Sequence, residues 1–285
     1  MTTEDATIYS IGLLSPQYGE GEATAITDLL MEKLTGLRGV QLISHGPDPL
    51  DEEAVKRLDQ WLDRLLANEP VQYILGEAWF MDLKFYVDPS VLVPRPETEE
   101  LADWIVRDRS FNADGLRLLD IGTGTGCLPV YLQKKLAGIT ADAIDISRGA
   151  IAIAQKNAAA LGARVNFGQL DFLDSSLRDR LPLYDLVVSN PPYIPVKEKS
   201  SMPLNVTEFE PMMALFVPDS DPLVFYKAIA DFGVHHLKPA GKIFVEIYEG
   251  NGKETLEVFT SMGYEAELKQ DMQGKDRMIR ATKKA

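Results

Sequence analysis

The first 75 residues place apolar side chains three and four positions apart, which is the spacing of one helix face. One series ends before Gly36 and comprises Ala23, Ile26, Leu29, Leu30 and Leu34. A second series follows an acidic segment that begins at Asp51 and comprises Val55, Leu58, Trp61, Leu62, Leu65 and Leu66. Glycine after a helix and acidic residues at a helix start both favour these boundaries. The pattern therefore predicts a small helical domain over residues 1–75.

The next segment, residues 76–94, mixes aromatic and β-branched residues, which favour strands. Between Ala78 and Val93 it contains Asp88-Pro89-Ser90, a sequence that is typical of turns. We therefore predict a β-hairpin linker over 76–94, with its turn at 88–90.

From Arg95 onward, strand patterns alternate with helix patterns. Strands are predicted at 116–120, 141–145, 165–167, 184–189 and 242–248, and helices at 126–137, 148–161 and 222–236. Such alternation is typical of a parallel sheet that is covered by helices. Two last segments, 265–269 and 277–282, are expected to pair as antiparallel edge strands. The sequence thus predicts an α/β domain over 95–285, with a mostly parallel sheet and an antiparallel C-terminal edge.

Composition and net charge exclude several classes of protein. The formal net charge of −14 gives no general attraction for phosphate backbones or anionic membranes. No apolar run approaches the roughly 20 residues that span a bilayer, and the N-terminus lacks a signal-peptide pattern. Cys127 is the only cysteine, and the three histidines lack zinc-ligand spacing. We therefore expect a cytoplasmic protein without a disulfide, a metal site, a membrane anchor or a direct nucleic-acid partner.

A glycine-rich turn lies between the first predicted strand of the α/β domain and the helix that follows it. It comprises Gly122, Thr123, Gly124, Thr125 and Gly126. Missing side chains let a ligand approach the backbone closely, as nucleotide-like cofactors require. A dinucleotide fingerprint would place a small residue at 127, where Cys127 stands, so the pattern is G-x-G-x-G. Pro129 is tolerated only in the first turn of a helix, so that helix should start near Cys127 or Leu128.

Acidic residues follow the next two strands. Asp145 ends the second strand, where a carboxylate can accept hydrogen bonds from ribose hydroxyls. Asp171 and Phe172 follow the third strand and offer an acceptor for an exocyclic amine and an aromatic wall for a purine. The carboxyl ends of parallel strands share one sheet edge, so these residues indicate one nucleoside pocket.

The apolar strand 184–189 leads directly into Asn190-Pro191-Pro192-Tyr193. Two prolines cannot extend a strand, so they form a rigid elbow at its carboxyl end. The elbow offers the Asn190 side-chain carbonyl and the Pro191 backbone carbonyl as acceptors, beside the aromatic face of Tyr193. Two hydrogen-bond acceptors without a neighbouring general base suit a planar NH2 group as the ligand.

These motifs together resemble the class I S-adenosylmethionine-dependent methyltransferases, with their Rossmann-like fold. Further segments make the chain similar to the N5-glutamine methyltransferases of peptide chain release factors. These segments are 93–99 (VPRPETE), 209–211 (FEP) and 271–277 (DMQGKDR). The resemblance covers nearly the whole chain, including the helical domain. It implies methyl transfer from S-adenosylmethionine to the glutamine of the release factor's Gly-Gly-Gln loop.

The resemblance also implies roles for individual residues. The loop from Gly122 to Gly126, with Asp145, Asp171, Phe172 and Asn190, would bind S-adenosylmethionine, and Asp120 would reach its amino-acid end through water. For the substrate, Asn190 and Pro191 would accept the two amide N–H bonds, while Pro192 and Tyr193 would pack around the glutamine. Arg95 and Glu97 would line the cleft, and Glu210 would order a lid. Residues 1–75 would dock the release factor.

Three other functions are compatible with parts of the pattern. A methyltransferase for a ribosomal-protein glutamine would present the same amide to the same pocket. An adenine N6-methyltransferase would share the chemistry of residues 190–193, but a flipped base calls for a basic surface that a charge of −14 does not favour. A cofactor-binding scaffold without activity would be expected to lose Asn190, which is present.

Overall fold

A computed structural model of the protein describes residues 1–108, 110 and 114–284. Two compact units are present, one formed by Met1–Gly76 with Pro203–Phe209, the other by Glu77–Met202 with Glu210–Ala285. The helices are α1 (Thr3–Tyr18), α2 (Glu20–Thr35), α3 (Val40–Ser44), α4 (Glu52–Leu66), α5 (Val71–Leu75), α6 (Pro96–Arg107), α7 (Cys127–Lys135), α8 (Arg148–Leu161), α9 (Ser175–Arg178), α10 (Leu204–Thr207), α11 (Met212–Leu215), α12 (Val224–His236) and α13 (Gly252–Ser261). The strands are β1 (Glu77–Phe80), β2 (Leu83–Tyr86), β3 (Arg117–Ile121), β4 (Thr140–Asp145), β5 (Val165–Gln169), β6 (Tyr184–Ser189), β7 (Ile194–Pro195), β8 (Phe216–Val217), β9 (Leu237–Glu246), β10 (Glu265–Gln270) and β11 (Asp276–Thr282).

The first unit is helical, as the apolar spacing predicts. Helix α2 ends at Gly36, which adopts a left-handed conformation with φ of 74°. Helix α4 begins after Asp51, whose side chain accepts a hydrogen bond from the Ala54 N–H. The apolar faces of α1, α2, α4 and α5 pack into one core, which contains Leu14, Leu30, Met31, Leu58, Leu62 and Ile74.

The hairpin is present, but its predicted turn is wrong. Strands β1 and β2 pair antiparallel, and the chain reverses at Met81 and Asp82, with Met81 at φ of 54°. Asp88 does form a turn, since its carboxylate accepts a hydrogen bond from the Ser90 N–H at 2.8 Å. That turn follows β2 instead of joining two strands. The reason is that the reversal is made by Met81, a residue without turn propensity, while Phe80 and Phe85 anchor the two strands in the core.

The second unit contains, among its described residues, a seven-stranded sheet with the order β10-β11-β9-β6-β3-β4-β5. Strands β9, β6, β3, β4 and β5 are mutually parallel, and β11 pairs antiparallel with both β9 and β10. The predicted parallel sheet and its antiparallel C-terminal edge are thus confirmed.

Strand side chains alternate between two cores, one on each face of the sheet. Leu118 and Phe244 pack with α6, α7 and α8, whereas Leu119 and Ile243 pack with α12. Because both faces are covered, the buried centres of β3, β6 and β9 are continuously apolar, at 118–119, 186–188 and 243–245, as in buried parallel strands.

The direction in which successive strands are added to the sheet reverses between β3 and β6. From β3 the chain passes outward to β4 and β5, then returns to place β6 on the other side of β3. Ile121 at the end of β3 is in register with Ser189 at the end of β6 and with Ile144 in β4. The segments that follow these strands therefore meet at a topological switch point, where open α/β sheets bind ligands.

None of the described helices is both long and apolar enough to cross a bilayer.

Candidate active site

The glycine loop joins β3 to α7 in a conformation that larger residues would strain. Gly122, Gly124 and Gly126 have φ angles of 73°, 53° and 78°. A Cβ atom at Gly122 or Gly124 would meet no atom within 4 Å, whereas one at Gly126 would lie 3.0 Å from the Ala154 Cβ. The first two glycines thus border open space, and the third allows α8 to pack closely. Helix α7 begins at Cys127 with Pro129 in its first turn, as predicted.

Asp145 connects the end of β4 to this loop. One carboxylate oxygen accepts a hydrogen bond from the Gly124 N–H at 2.9 Å, and the other accepts one from the Ser147 N–H at 2.8 Å. Burial raises the pKa of Asp145 above its ordinary value, and the two backbone hydrogen bonds oppose the rise. A carboxylate has about four acceptor positions, so two remain for a ligand.

Asp120, at the penultimate position of β3, is a buried acid that accepts no hydrogen bond within the described part of the chain. It is 1 % exposed, and neither oxygen accepts a hydrogen bond from the described residues. Burial raises the pKa of Asp120 to about 7, the neighbouring Thr123 hydroxyl opposes the rise, and the nearby Asp145 carboxylate adds to it. Buried carboxyl groups are normally paired, so this one is a candidate for contact with a bound ligand or water.

A cavity of about 370 Å³ opens at the switch point. Eight of the residues singled out in the sequence line it, namely Gly122, Gly124, Asp145, Asp171, Phe172, Asn190, Pro191 and Pro192. Sequence reasoning missed its apolar wall, which includes Leu92, Ile146, Met213, Phe216, Val224 and Phe225. The volume falls in the range of about 300–1,000 Å³ that small-molecule and cofactor sites occupy.

The other candidate residues do not line this cavity in the part of the chain that is described; they are Arg95, Glu97, Thr123, Thr125, Gly126 and Tyr193. Thr123, Thr125 and Gly126 are buried within the loop. Arg95 instead donates from one guanidinium nitrogen to both carboxylate oxygens of Glu210, each at 2.7 Å. Because Pro211 and Met213 line the cavity, this ion pair fixes the start of the segment that forms one of its walls.

Asn190 is held by a chain of hydrogen bonds that sequence reasoning did not anticipate. Its Nδ2 donates to the Thr98 hydroxyl at 2.9 Å, and that hydroxyl donates to the Glu246 carboxylate at 2.6 Å. The Tyr193 hydroxyl donates to the other oxygen of Glu246 at 3.1 Å. The predicted strand 242–248 ends earlier, at Glu246, and the available signal was this acid directly after the apolar run 243–245.

Two acceptors at the elbow stay unused by the protein. Within the described residues, neither the Asn190 Oδ1 nor the Pro191 carbonyl accepts a hydrogen bond. Both residues line the cavity that Gly122, Gly124 and Asp145 share. The arrangement can therefore hold a nucleoside-like ligand and receive the two N–H bonds of a planar amide or amine.

Comparison with known proteins identifies the families that the chain resembles. Residues 13–76 match the family described as the PrmC N-terminal domain, and residues 108–207 match the methyltransferase small domain. A release factor glutamine methyltransferase of Bacteroides thetaiotaomicron is 40 % identical over 97 % of this chain and 99 % of its own length. One of Flavobacterium psychrophilum is 37 % identical over 94 % of each chain.

Among solved structures, a methyltransferase from Pyrococcus furiosus has the same fold. It aligns with a TM-score of 0.52 and 16 % identity, covering 80 % of this chain and 100 % of its own.

Proposed function

The chain belongs to the release factor glutamine methyltransferases, and we propose that it methylates the N5 amide nitrogen of the glutamine in the Gly-Gly-Gln loop of peptide chain release factors. The methyl donor is S-adenosylmethionine. The observation that carries the proposal is the pair of unused acceptors, the Asn190 Oδ1 and the Pro191 carbonyl, in the cavity bordered by Gly122 and Gly124.

The residues at the cavity fit S-adenosylmethionine. Gly122 and Gly124 leave open space where a side chain would otherwise stand. Asp145 and Asp171 line the cavity and suit the ribose hydroxyls and the exocyclic amine of adenine, respectively. Asp120 does not line the cavity in the described part of the chain, and its carboxylate suits the ammonium group at the amino-acid end of this molecule, reached through water. The apolar wall with Phe172 suits the purine ring.

The main chemical difficulty is that an amide nitrogen is a poor nucleophile, because its lone pair is delocalised into the carbonyl. When bound, S-adenosylmethionine supplies an electrophilic methyl group on a sulfonium sulfur. Asn190 and Pro191 orient the substrate nitrogen by accepting both of its N–H bonds, and they favour the positive charge that develops on it.

In the transfer, the nitrogen forms a bond to the methyl carbon while the carbon–sulfur bond breaks, with its electrons staying on sulfur. The nitrogen, which is then positively charged, releases one proton to solvent water. No strong general base is required, because an amide nitrogen that has gained a methyl group loses its proton readily.

The protein substrate is proposed to dock on the helical domain, residues 1–75, while residues 95–285 bind the cofactor and catalyse the transfer. Docking on a separate domain would add selectivity for the protein substrate, which recognition of one amide group by Asn190 and Pro191 cannot supply alone. Because translation terminates in the cytoplasm, the proposal places the enzyme there.

The experiment is methyl transfer from labelled S-adenosylmethionine to unmethylated release factor, with ribosomal proteins and DNA as competitors. Mass mapping then locates the label. We expect it on the glutamine of the Gly-Gly-Gln loop. Label only on a ribosomal-protein glutamine or on adenine would overturn the substrate assignment, and no transfer to any of them would remove the proposed activity.

A further inference from the structure

We propose that Thr98 and Glu246 are positioning residues that hold the Asn190 side chain with its oxygen toward the substrate, and that they thereby make the site select an amide over a carboxylate. This inference rests on the function proposed above. It concerns two side chains that lie outside residues 190–193 and do not line the cavity in the described part of the chain.

The contacts form one connected chain through the interior of the second unit. Thr98 in α6 and Glu246 at the end of β9 are 3 % and 1 % exposed. The Thr98 hydroxyl bridges the Asn190 Nδ2 and a Glu246 oxygen at 2.9 and 2.6 Å. Tyr193 donates to the second Glu246 oxygen. One buried carboxylate thus contacts both ends of the segment from Asn190 to Tyr193, through Thr98 at one end and directly at the other.

The single proton of the Thr98 hydroxyl determines how the Asn190 amide is oriented. A threonine hydroxyl has a single proton, and at Thr98 that proton is donated to Glu246. The Thr98 oxygen can then only accept, so Asn190 must turn its NH2 group toward Thr98. The Asn190 oxygen is left for the cavity. The two amide orientations of an asparagine have almost the same shape, so only such a network distinguishes them.

The ionised form of Glu246 is the form that imposes this direction. As a carboxylate it accepts from both Thr98 and Tyr193, whereas a protonated Glu246 could donate to Thr98 and release the threonine proton toward Asn190. Burial raises the pKa of Glu246 to about 7, and the Glu97 carboxylate adds to the rise. The hydroxyls of Thr98 and Tyr193 and the charge of Arg277 oppose it.

The orientation matters for selectivity because glutamine and glutamate differ at one group. A glutamine amide can donate to the Asn190 oxygen and to the Pro191 carbonyl. A glutamate carboxylate would instead face two acceptors with no proton to give, which is repulsive. If the Asn190 amide loses its fixed orientation, its NH2 group can turn to the cavity and bind a carboxylate.

The test uses Thr98→Val, which keeps the shape but removes the hydroxyl, with Thr98→Ser as the matched variant that keeps it. Glu246→Gln is the third protein. For each we measure cofactor affinity by calorimetry, kcat and KM with release factor between pH 5.5 and 8.5, and inhibition by release factor whose target glutamine is replaced by glutamate.

We expect Thr98→Val to lower kcat on the order of 10- to 100-fold while cofactor affinity stays unchanged. Its inhibition constant for the glutamate-bearing factor should fall on the order of tenfold, because a hydrogen bond to a charged group is gained. Thr98→Ser should stay close to the wild type in both measurements. The wild type should lose kcat below about pH 7, and Glu246→Gln should lack that loss.

A Thr98→Val enzyme with wild-type kcat and wild-type rejection of the glutamate-bearing factor would overturn the inference, as would an equal loss in Thr98→Ser. A parallel fall in cofactor affinity would show that Thr98 supports the fold and does not orient Asn190. Failure of the wild type itself to methylate the release factor would refute the proposed function, which keeps the two failures distinct.

Discussion

Replacing Asp120 with asparagine should change how the stability of the protein depends on pH. The wild-type carboxyl is buried, has no hydrogen-bond partner in the described residues, and has its pKa raised from 3.8 to about 7. A folded-state pKa above the unfolded value means that folding favours the protonated form. The contribution of Asp120 to the free energy of unfolding is fully present below about pH 4. It is lost as the pH rises from there through the folded-state pKa of about 7.

The magnitude follows from the pKa difference. Each pKa unit corresponds to about 1.4 kcal/mol, so a rise of roughly three units changes the free energy of unfolding by about 4 kcal/mol between pH 4 and pH 8. The side chain of the Asp120→Asn variant cannot ionise, so the variant should lack this pH-dependent contribution. An asparagine that remains unpaired costs on the order of 1–3 kcal/mol at every pH, which shifts the whole curve without changing its slope.

The assay is urea unfolding of the two proteins without cofactor at pH 5, 6, 7 and 8. The raised pKa of Glu246 affects both proteins alike, so it cancels in their difference. Because part of the change lies below pH 5, the wild type should lose about 3 kcal/mol more than Asp120→Asn over this range. Two curves that run parallel from pH 5 to pH 8 would show that Asp120 does not titrate there, which would refute the reasoning.

Two substitutions test the glycine loop and the wall of the cavity. Gly124→Ala should weaken binding of S-adenosylhomocysteine at least tenfold in calorimetry, because the added Cβ enters the cavity. The control Gly162→Ala has a similar positive φ of 68° but lies outside the cavity, so it should affect stability alone. Equal losses of affinity in the two variants would contradict this prediction. Arg95→Met leaves the Glu210 carboxylate, 2 % exposed, without its partner and should cost about 3 kcal/mol in urea unfolding. A loss below about 0.5 kcal/mol would mean that the pair contributes little.

The sheet and its binding edge were predictable because their signals are local. Short segments rich in apolar residues, ending near glycine, proline or aspartate, marked β3, β4 and β6. Parallel strands bring the residues at their carboxyl ends to one edge. Asp145 and Asn190 follow such strands, so their arrival at one cavity required no tertiary information.

Contacts between distant segments were not predictable in this way. Thr98 and Glu246 are separated by 148 positions, and no periodicity signals that a threonine in a helix start will bridge an asparagine and a buried acid. The position of the hairpin turn was predicted wrongly for a related reason. Tertiary packing of Phe80 and Phe85 placed the reversal between the strands at Met81, whereas the turn at 88–90 forms after β2.

The central claim is that Asn190 recognises the substrate amide, and single-turnover kinetics of Asn190→Ala with release factor test it most directly. The Kd for S-adenosylmethionine is measured alongside. The account predicts a loss of about 10²–10³ in the rate of methyl transfer, typical for removal of one preorganised polar group, with a far smaller change in the cofactor Kd. A transfer rate close to that of the wild type would contradict the claim.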